Sequence, residues 1–479
     1  MPIQSLSKTD YIKYLGCPEE WWMFYHQPKL MPPFSLDAQH KVEQGKIIDR
    51  LAQDWFKKKK VAGEVRFQYE VKAGNGIVKA DVVVLREEKV CDIYEVKAAT
   101  TSKMKEIHLE DIAYQRMVFE DAGYQVERTF LIRVNNKYAF QYPLQLDEFL
   151  VLDDVTEEVL SKMDDTRTLA NHAWEWIHQK ELPIPKTLPV PCDNKLNCPF
   201  IQHYFPSIPS YSIFDINNIK ANKRNELLAQ GIIDIRDVPS DFKLSDRQRS
   251  QVDLVQQNQI RIKSSEIKRM LKGLAYPLYF LDYETFSYVF PPQEGLTPYQ
   301  QMVFQYSLHV IESEGSEVKH FEYLMPSKET PLENLIIHLQ NNIAPTDGTV
   351  LVWNQGFEKS RNREMGILFP QYSEFLNSIN ERVHDLMKIF KDGLYSHPKF
   401  KGSASIKKVL PVLCPELSYG DLEIQNGNAA VIKWHHMTDG RMTEKEAKQT
   451  FQDLLKYCEL DTWAMVRIWE ELRKVSITN

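Results

Sequence analysis

Between residues 182 and 200 the chain reads LPIPKTLPVPCDNKLNCPF, with five prolines in nineteen positions. Each proline fixes φ and removes an amide donor, so no long helix or inner strand can run through this stretch. It therefore breaks the 479-residue chain into at least two cores. The length agrees, since one hydrophobic core does not serve so many residues. Each side of the break must bury its own apolar faces.

Before the break, residues 1–185 pattern as two helices and three β-rich runs, GEVRFQYEVKA, GIVKADVVVL and KVCDIYEVKA. A helix at about 106–122, the strand RTFLIRV and a long helix follow. Residues 186–210 form a connector rich in proline and cysteine. Residues 211–272 are polar and helical, and LLAQGIIDIRDVP within them signals helix, glycine turn, helix. Strands return over residues 273–479: PLYFLDYE, MVFQYSLHVI and VKHFEYLMP, then a helix at 330–343, the strand TVLVWN, a helix from 357 and a closing helix at about 444–474. The fold class expected is multidomain α/β.

Hydrophobic content of 43% and charged content of 26% suit a globular chain. A net charge of -7 does not advertise nucleic-acid binding, yet an acidic protein can still carry one basic groove. No apolar run reaches bilayer length, and the start MPIQSLSKTD lacks the apolar core of a secretory signal. A cytoplasmic protein with no membrane partner is expected. Six scattered cysteines make no disulfide framework.

The run YFLDYETF at 279–286 places Asp282 and Glu284 on one face of a strand. Burying two adjacent carboxylates is costly, and residues 276–286 contain no basic side chain to offset it. A lysine or arginine from elsewhere, or a divalent cation such as Mg²⁺ or Mn²⁺, would compensate. More acids follow. WNQGFEKSR supplies Asn354, Phe357 and Glu358, and LLKYCELDT supplies Tyr457 and Asp461, one helical turn apart. Asp385 in RVHDLM is a further candidate, or an anchor for the strand end. In HPKFKGSASIKKVLP, Lys401, Lys407 and Lys408 form either a phosphate-contacting loop or a solvated one. In the first segment, Asp81 lies mid-strand in VKADVVV, and Glu95 and Lys97 share a face in CDIYEVKAA. Acids that hold a metal beside a lysine that positions water or phosphate is nuclease logic; a cross-strand ion pair is the simpler alternative.

The ordered set D-x-E, N-x-x-F-acid and Y-x-x-x-D resembles the DEDD family of 3′–5′ exonucleases in its tyrosine subtype. The resemblance implies a ribonuclease H-like mixed sheet with flanking helices over 273–479. It also implies two Mg²⁺ or Mn²⁺ ions held by Asp282, Glu284, Glu358 and Asp461, with Tyr457 orienting the attacking water. That family usually has aspartate where this chain has Glu358.

Residues 1–185 resemble the RecB-like branch of the PD-(D/E)xK nucleases, which implies a restriction-endonuclease-like core. Asp49, Asp81 and Glu95 would hold one or two Mg²⁺ or Mn²⁺ ions, and Lys97 and Gln115 would serve catalysis. Asp49, in GKIID, stands where that branch often has histidine; Glu70 is a further acid. Iron–sulfur members of the branch carry one early cysteine and three later ones. Cys17, Cys192 and Cys198 fit, but Tyr204 stands at the last position, so no four-thiolate cluster forms from this set. His203 leaves a Cys₃His set for zinc or a modified cluster, against a reading with no metal. Residues 211–272 resemble a helix-hairpin-helix module, which binds DNA backbone, or form a plain helical linker. The combination resembles an uncharacterised bacterial family joining the two nuclease types. The expected activity is metal-dependent hydrolysis of DNA, in repair or in defence against foreign DNA. A catalytically weakened nucleic-acid binder and an RNA-directed exonuclease are the alternatives.

Overall fold

The computed structural model describes residues 3–33, 35–100, 106–181, 200, 203 and 206–477. Cys192, Cys198, Tyr204 and most of the expected connector lie outside the described residues. The chain is a multidomain α/β protein with two compact units, Met1–Ser207 with Tyr288–Tyr299, and Ile208–Ser287 with Gln300–Asn479.

The first unit is built on six strands: β1 (Leu6–Ser7), β2 (Glu64–Ala73), β3 (Gly76–Glu87), β4 (Val90–Val96), β5 (Gln125–Val134) and β6 (Leu150–Asp154). The sheet order is β1-β3-β4-β5-β6, with β2 also paired to β3. Strands β2, β3 and β4 run antiparallel through short turns, whereas β4 and β5 are parallel and need the crossover helix Glu106–Asp121. Strand β4, VCDIYEV, is buried along almost its whole length, as a strand covered on both faces must be. On one face Val83, Ile93 and Leu131 pack under helices Lys8–Gly16, Pro18–His26, Glu106–Asp121 and Met163–Ile177. On the other, Val82, Val84, Tyr94 and Ile132 pack with helix Leu36–Lys58. Val289 is fully buried in this second core, and its N–H donates to Gln44 Oε1 at 2.9 Å. Gly76 opens β3 where space is short: an added Cβ would lie 2.7 Å from Val118 Cγ2 on the crossover helix.

The second unit begins with helices Ala221–Ala229, Asp246–Gln257 and Ser264–Lys272. Ile213, Leu227, Ile235 and Val252 close a small core among the first two. Gly231 turns the chain after the first helix at φ +75°, a conformation that favours glycine. The short strand β7 (Arg261–Ile262) precedes the main sheet of β8 (Leu278–Phe286), β9 (Met302–Ile311), β10 (Val318–Leu324), β11 (Val350–Val352) and β12 (Val383–Asp385). The order is β10-β9-β8-β11-β12. Strands β8 to β10 are antiparallel neighbours, and β11 and β12 run parallel to β8. A last short strand, β13 (Tyr395–Ser396), pairs with β7. The closing helix Glu444–Ile477 lies along β8, β9 and β10, burying Leu454, Ala464, Met465 and Ile468. Trp434 of helix Gly427–Thr438 stacks on Phe286 and Phe304 at ring distances of 5.2 and 4.6 Å.

Candidate functional site

Strand β8 carries Asp282 and Glu284 two residues apart, so both leave the sheet on one side. Asp461 comes from the closing helix, one turn beyond Tyr457. One carboxylate oxygen from each of Asp282, Glu284 and Asp461 lies within 4.8 Å of the other two. With Trp353, Phe357, Lys407 and Tyr457 they line a cavity of about 260 Å³.

The electrostatics of this group are unbalanced. Asp461 and Glu284 are 8% and 9% exposed. The Glu284 carboxylate makes no hydrogen bond among the described residues, and the Asp282 carboxylate meets only the Cys458 thiol, at 3.9 Å. Asp461 Oδ1 accepts from the Tyr419 hydroxyl at 2.5 Å. Burial, then Asp461, Glu284 and Glu358, push Asp282 well above the ordinary carboxylate range. Burial and Asp461 push Glu284 up to about 8, against the pull of Lys407. Burial raises Asp461 to about 6, opposed by Tyr419 and Lys407. Lys407 is the one cation lining this cavity among the described residues, and it is directed elsewhere. Its Nζ donates to Gln425 O at 2.6 Å and to the Tyr457 hydroxyl at 3.1 Å.

Glu358 stands outside the group of three. It lies in the first turn of helix Gln355–Leu368, 1% exposed, with Oε2 buried and unpartnered. Burial raises it to about 8, with Asp385 adding to the shift. Asp385 anchors backbone, accepting N–H groups from Asn354, Gln355 and Met387 at 3.0–3.2 Å. Asn354, at φ +103°, is held in a conformation few side chains adopt. Lys401 reaches the carbonyl of Ser210 and lies over the Tyr211 ring. Lys408 is exposed.

A second cavity of about 590 Å³ in this unit is basic, with Arg247, Arg261, Lys263 and Lys391 in its wall against Asp246 and Asp392. Its wall runs along residues 395–403, just before Ile406 and Lys407 of the acidic cavity. Trp353 of the acidic cavity stacks on Phe390 of the basic one at 5.5 Å.

In the first unit, Glu95 and Lys97 of the β4 end meet at 2.6 Å. Lys97 also meets Asp111 Oδ2 at 2.6 Å, and Gln115 Nε2 donates to Glu95 Oε2 at 2.7 Å and to Asp111 Oδ1 at 3.1 Å. Asp81 accepts the N–H of Val96 at 2.9 Å. Gln68, at φ +50°, reaches both Asp49 and Asp81 at 3.3 Å. Glu70 is exposed on β2. The cluster carries its own cations, because Lys8 also grips Glu95, at 2.9 and 3.0 Å. Burial works against ionised Glu95, but Lys97 and Lys8 hold it well below the carboxylate range. Burial and Glu95 push Asp81 up to about 7 and raise Asp111; burial also raises Asp49.

Lys8, Gln68, Asp111 and Tyr419 join these sites and were not among the expected residues. Of these, Lys8 alone carried a signal, as the first helical residue inside the capping box of Ser7 and Asp10. Cys17 is buried, and its sulfur accepts the N–H of Glu20 at 3.3 Å as a helix cap. His203 is exposed.

Residues 279–405 match the family model described as "Domain of unknown function (DUF2779)". That span includes Asp282, Glu284, Glu358 and Lys401, and ends before Lys407, Tyr457 and Asp461. The chain is similar to the uncharacterized protein UU173 of Ureaplasma parvum, 25% identical over 241 residues, covering 46% of this chain and 35% of that protein. It is also similar to the uncharacterized protein MG366 of Mycoplasma genitalium, 28% identical over 207 residues, covering 40% of this chain and 31% of that one. A homolog of MG366 in Mycoplasma pneumoniae is 27% identical over 239 residues, with shares of 45% and 35%. The chain thus spans about a third of the length of the curated relatives it matches. These matches support an uncharacterised bacterial family. A solved structure titled "Crystal structure of SSO0001" aligns with a TM-score of 0.23 and 12% identity, over 35% of this chain and 78% of that one. No helix among the described residues is long and apolar enough to cross a membrane.

Proposed function

We propose that the second unit is a metal-dependent phosphodiesterase that trims DNA from 3′ ends in the manner of DEDD exonucleases. The observation that carries this reading is the convergence of Asp282, Glu284 and Asp461 within 4.8 Å, with no lysine, arginine or histidine paired to them among the described residues. Hard carboxylate oxygens gathered without a cation suit Mg²⁺ or Mn²⁺. The strand order β10-β9-β8-β11-β12 supports a ribonuclease H-like reading of this unit.

Asp282, Glu284 and Asp461 would hold the ions, and Glu358 stands close enough to raise the Asp282 carboxyl. When bound, such ions activate a water nucleophile and stabilise the leaving oxygen. The chain's own residues do the rest. Tyr457 accepts a hydrogen bond from Lys407 and keeps its hydroxyl at the cavity wall, where it orients the attacking water. Tyr419 fixes the Asp461 carboxylate. Trp353 and Phe357 offer ring faces on which a terminal base stacks. The basic cavity next along the 395–407 segment receives the backbone phosphates upstream of the cut.

The first unit supports a second site of the same class. Its order of helix, β2, β3, β4, crossover helix and β5 fits the PD-(D/E)xK resemblance. There Lys97 positions the scissile phosphate, and Lys8 occupies the Glu95 oxygens that a cation would need. Cleavage assays on labelled single- and double-stranded DNA and RNA, with Mg²⁺ or Mn²⁺, test both assignments. Asp282→Asn should lower 3′ trimming at least 100-fold. The residual cleavage should vanish when Glu95→Gln is added. If the wild-type chain cuts none of these substrates, the protein is a nucleic-acid binder instead.

A further inference from the structure

A different set of ligating atoms lies on the same side of the second unit's sheet. His309 on β9, His320 on β10 and Glu459 on the closing helix each bring one such atom within 4.8 Å of the others. His309 and His320 are direct partners across β9 and β10, and their rings stack at 4.4 Å. Ser307 leaves β9 on the same side, two residues earlier.

Two hydroxyls hold the inner edges of these rings. Ser307 Oγ lies 2.9 Å from His320 Nε2 and 2.7 Å from Thr462 Oγ1. Thr462 Oγ1 lies 2.8 Å from His309 Nδ1. That leaves His309 Nε2, which has no hydrogen-bond partner among the described residues, and His320 Nδ1, 3.8 Å from Glu459 Oε1. Tying one ring nitrogen to a polar partner is how proteins fix the tautomer and aim of a metal-ligating histidine. Glu322, two residues beyond His320 on β10, has Oε2 buried without a partner, so a further oxygen donor lies on this face. The Glu459 side chain is 48% exposed, which leaves a way in.

We propose that His309, His320 and Glu459 form a site for one nitrogen-preferring divalent cation, of which Zn²⁺ is the best fit. Two imidazoles and a carboxylate are a zinc-type donor set, unlike the all-oxygen group at Asp282. Glu459 lies between Tyr457 and Asp461 in sequence, so the ion would pin the helix that carries both to β9 and β10. The site stands on its own residues and does not depend on the phosphodiesterase reading.

Co²⁺ serves as the probe, since its visible absorption reports nitrogen ligands and Zn²⁺ displaces it. The full chain should take up one equivalent with such a spectrum, and the Asp282→Asn/Asp461→Asn variant should do the same. His320→Gln and Glu459→Gln, both at partly exposed positions, should each weaken binding at least tenfold while leaving the circular dichroism of the fold unchanged. Three results would overturn the proposal: no uptake, uptake unaffected by His320→Gln and Glu459→Gln, or uptake abolished by the Asp282/Asp461 changes alone. The last would put the ion on the carboxylates. Nuclease activity with Mg²⁺ is read separately and bears on the other assignment only.

Discussion

Three carboxylates brought together in a protein interior repel one another unless protons or cations intervene. Asp282→Asn and Asp461→Asn each remove a charge while keeping the side-chain shape. In chelator, either variant should melt higher than the wild type, by roughly 2–6 °C. With excess Mg²⁺ or Mn²⁺ the wild type should gain stability and the variants little, by mass action. Thermal melts of the three proteins with and without metal check this. Burial at His309, with His320 adding to it, lowers that imidazole to about 3. The unfolded chain then takes up a proton below pH 6.5 that the folded chain refuses. The stabilising contribution is complete above pH 6.5 and is lost as pH falls towards 3. By pH 4.5 the loss is about 2–3 kcal/mol. Urea midpoints at pH 7 and 4.5 should separate the wild type from His309→Gln, with the smaller drop in the variant. Asp282, Glu284, Tyr457 and Asp461 were legible because strand and helix periods are local. Tyr419 and Gln68 were not, since a tyrosine opening a single 3-10 turn and a glutamine at positive φ carry no spacing to read.

At the scale of elements, the crossover helix Glu106–Asp121 sets how closely the first sheet can be covered. Tyr114 of that helix donates to the carbonyl of Leu6 at 2.6 Å, so the helix, β1 and the start of β3 are fastened together. Gly76→Ala would push a methyl into Val118 Cγ2, on a stiff β-branched side chain. It should cost about 1–3 kcal/mol, and Val118→Ala in the same chain should recover part of that. Denaturant unfolding of the two single variants and the double variant measures the coupling. The strands themselves were readable from β-rich runs such as VCDIYEV bounded by turn residues, although their order in the sheet was not. Helix contacts like this one were not, because they join residues 42 positions apart with no shared motif.

For the whole molecule, the division into units does not follow the order of the chain. Strands β8 and β9 form an antiparallel hairpin, and the loop joining them, Tyr288–Tyr299, belongs to the first unit. The sequence pattern placed a boundary at the proline run but gave no sign of this loan, since a loop's packing partner leaves no periodicity. A fragment of residues 208–479 should therefore expose Val289 and Phe290 and aggregate. Replacing residues 288–299 by a short Gly/Ser turn should make that fragment soluble, as size-exclusion chromatography would show. The hairpin loop also falls inside the 279–405 family match. Its length then becomes a marker in a genome: relatives that lack a first unit should carry a shorter connection after the Asp-x-Glu strand, which a comparison of their sequences would show.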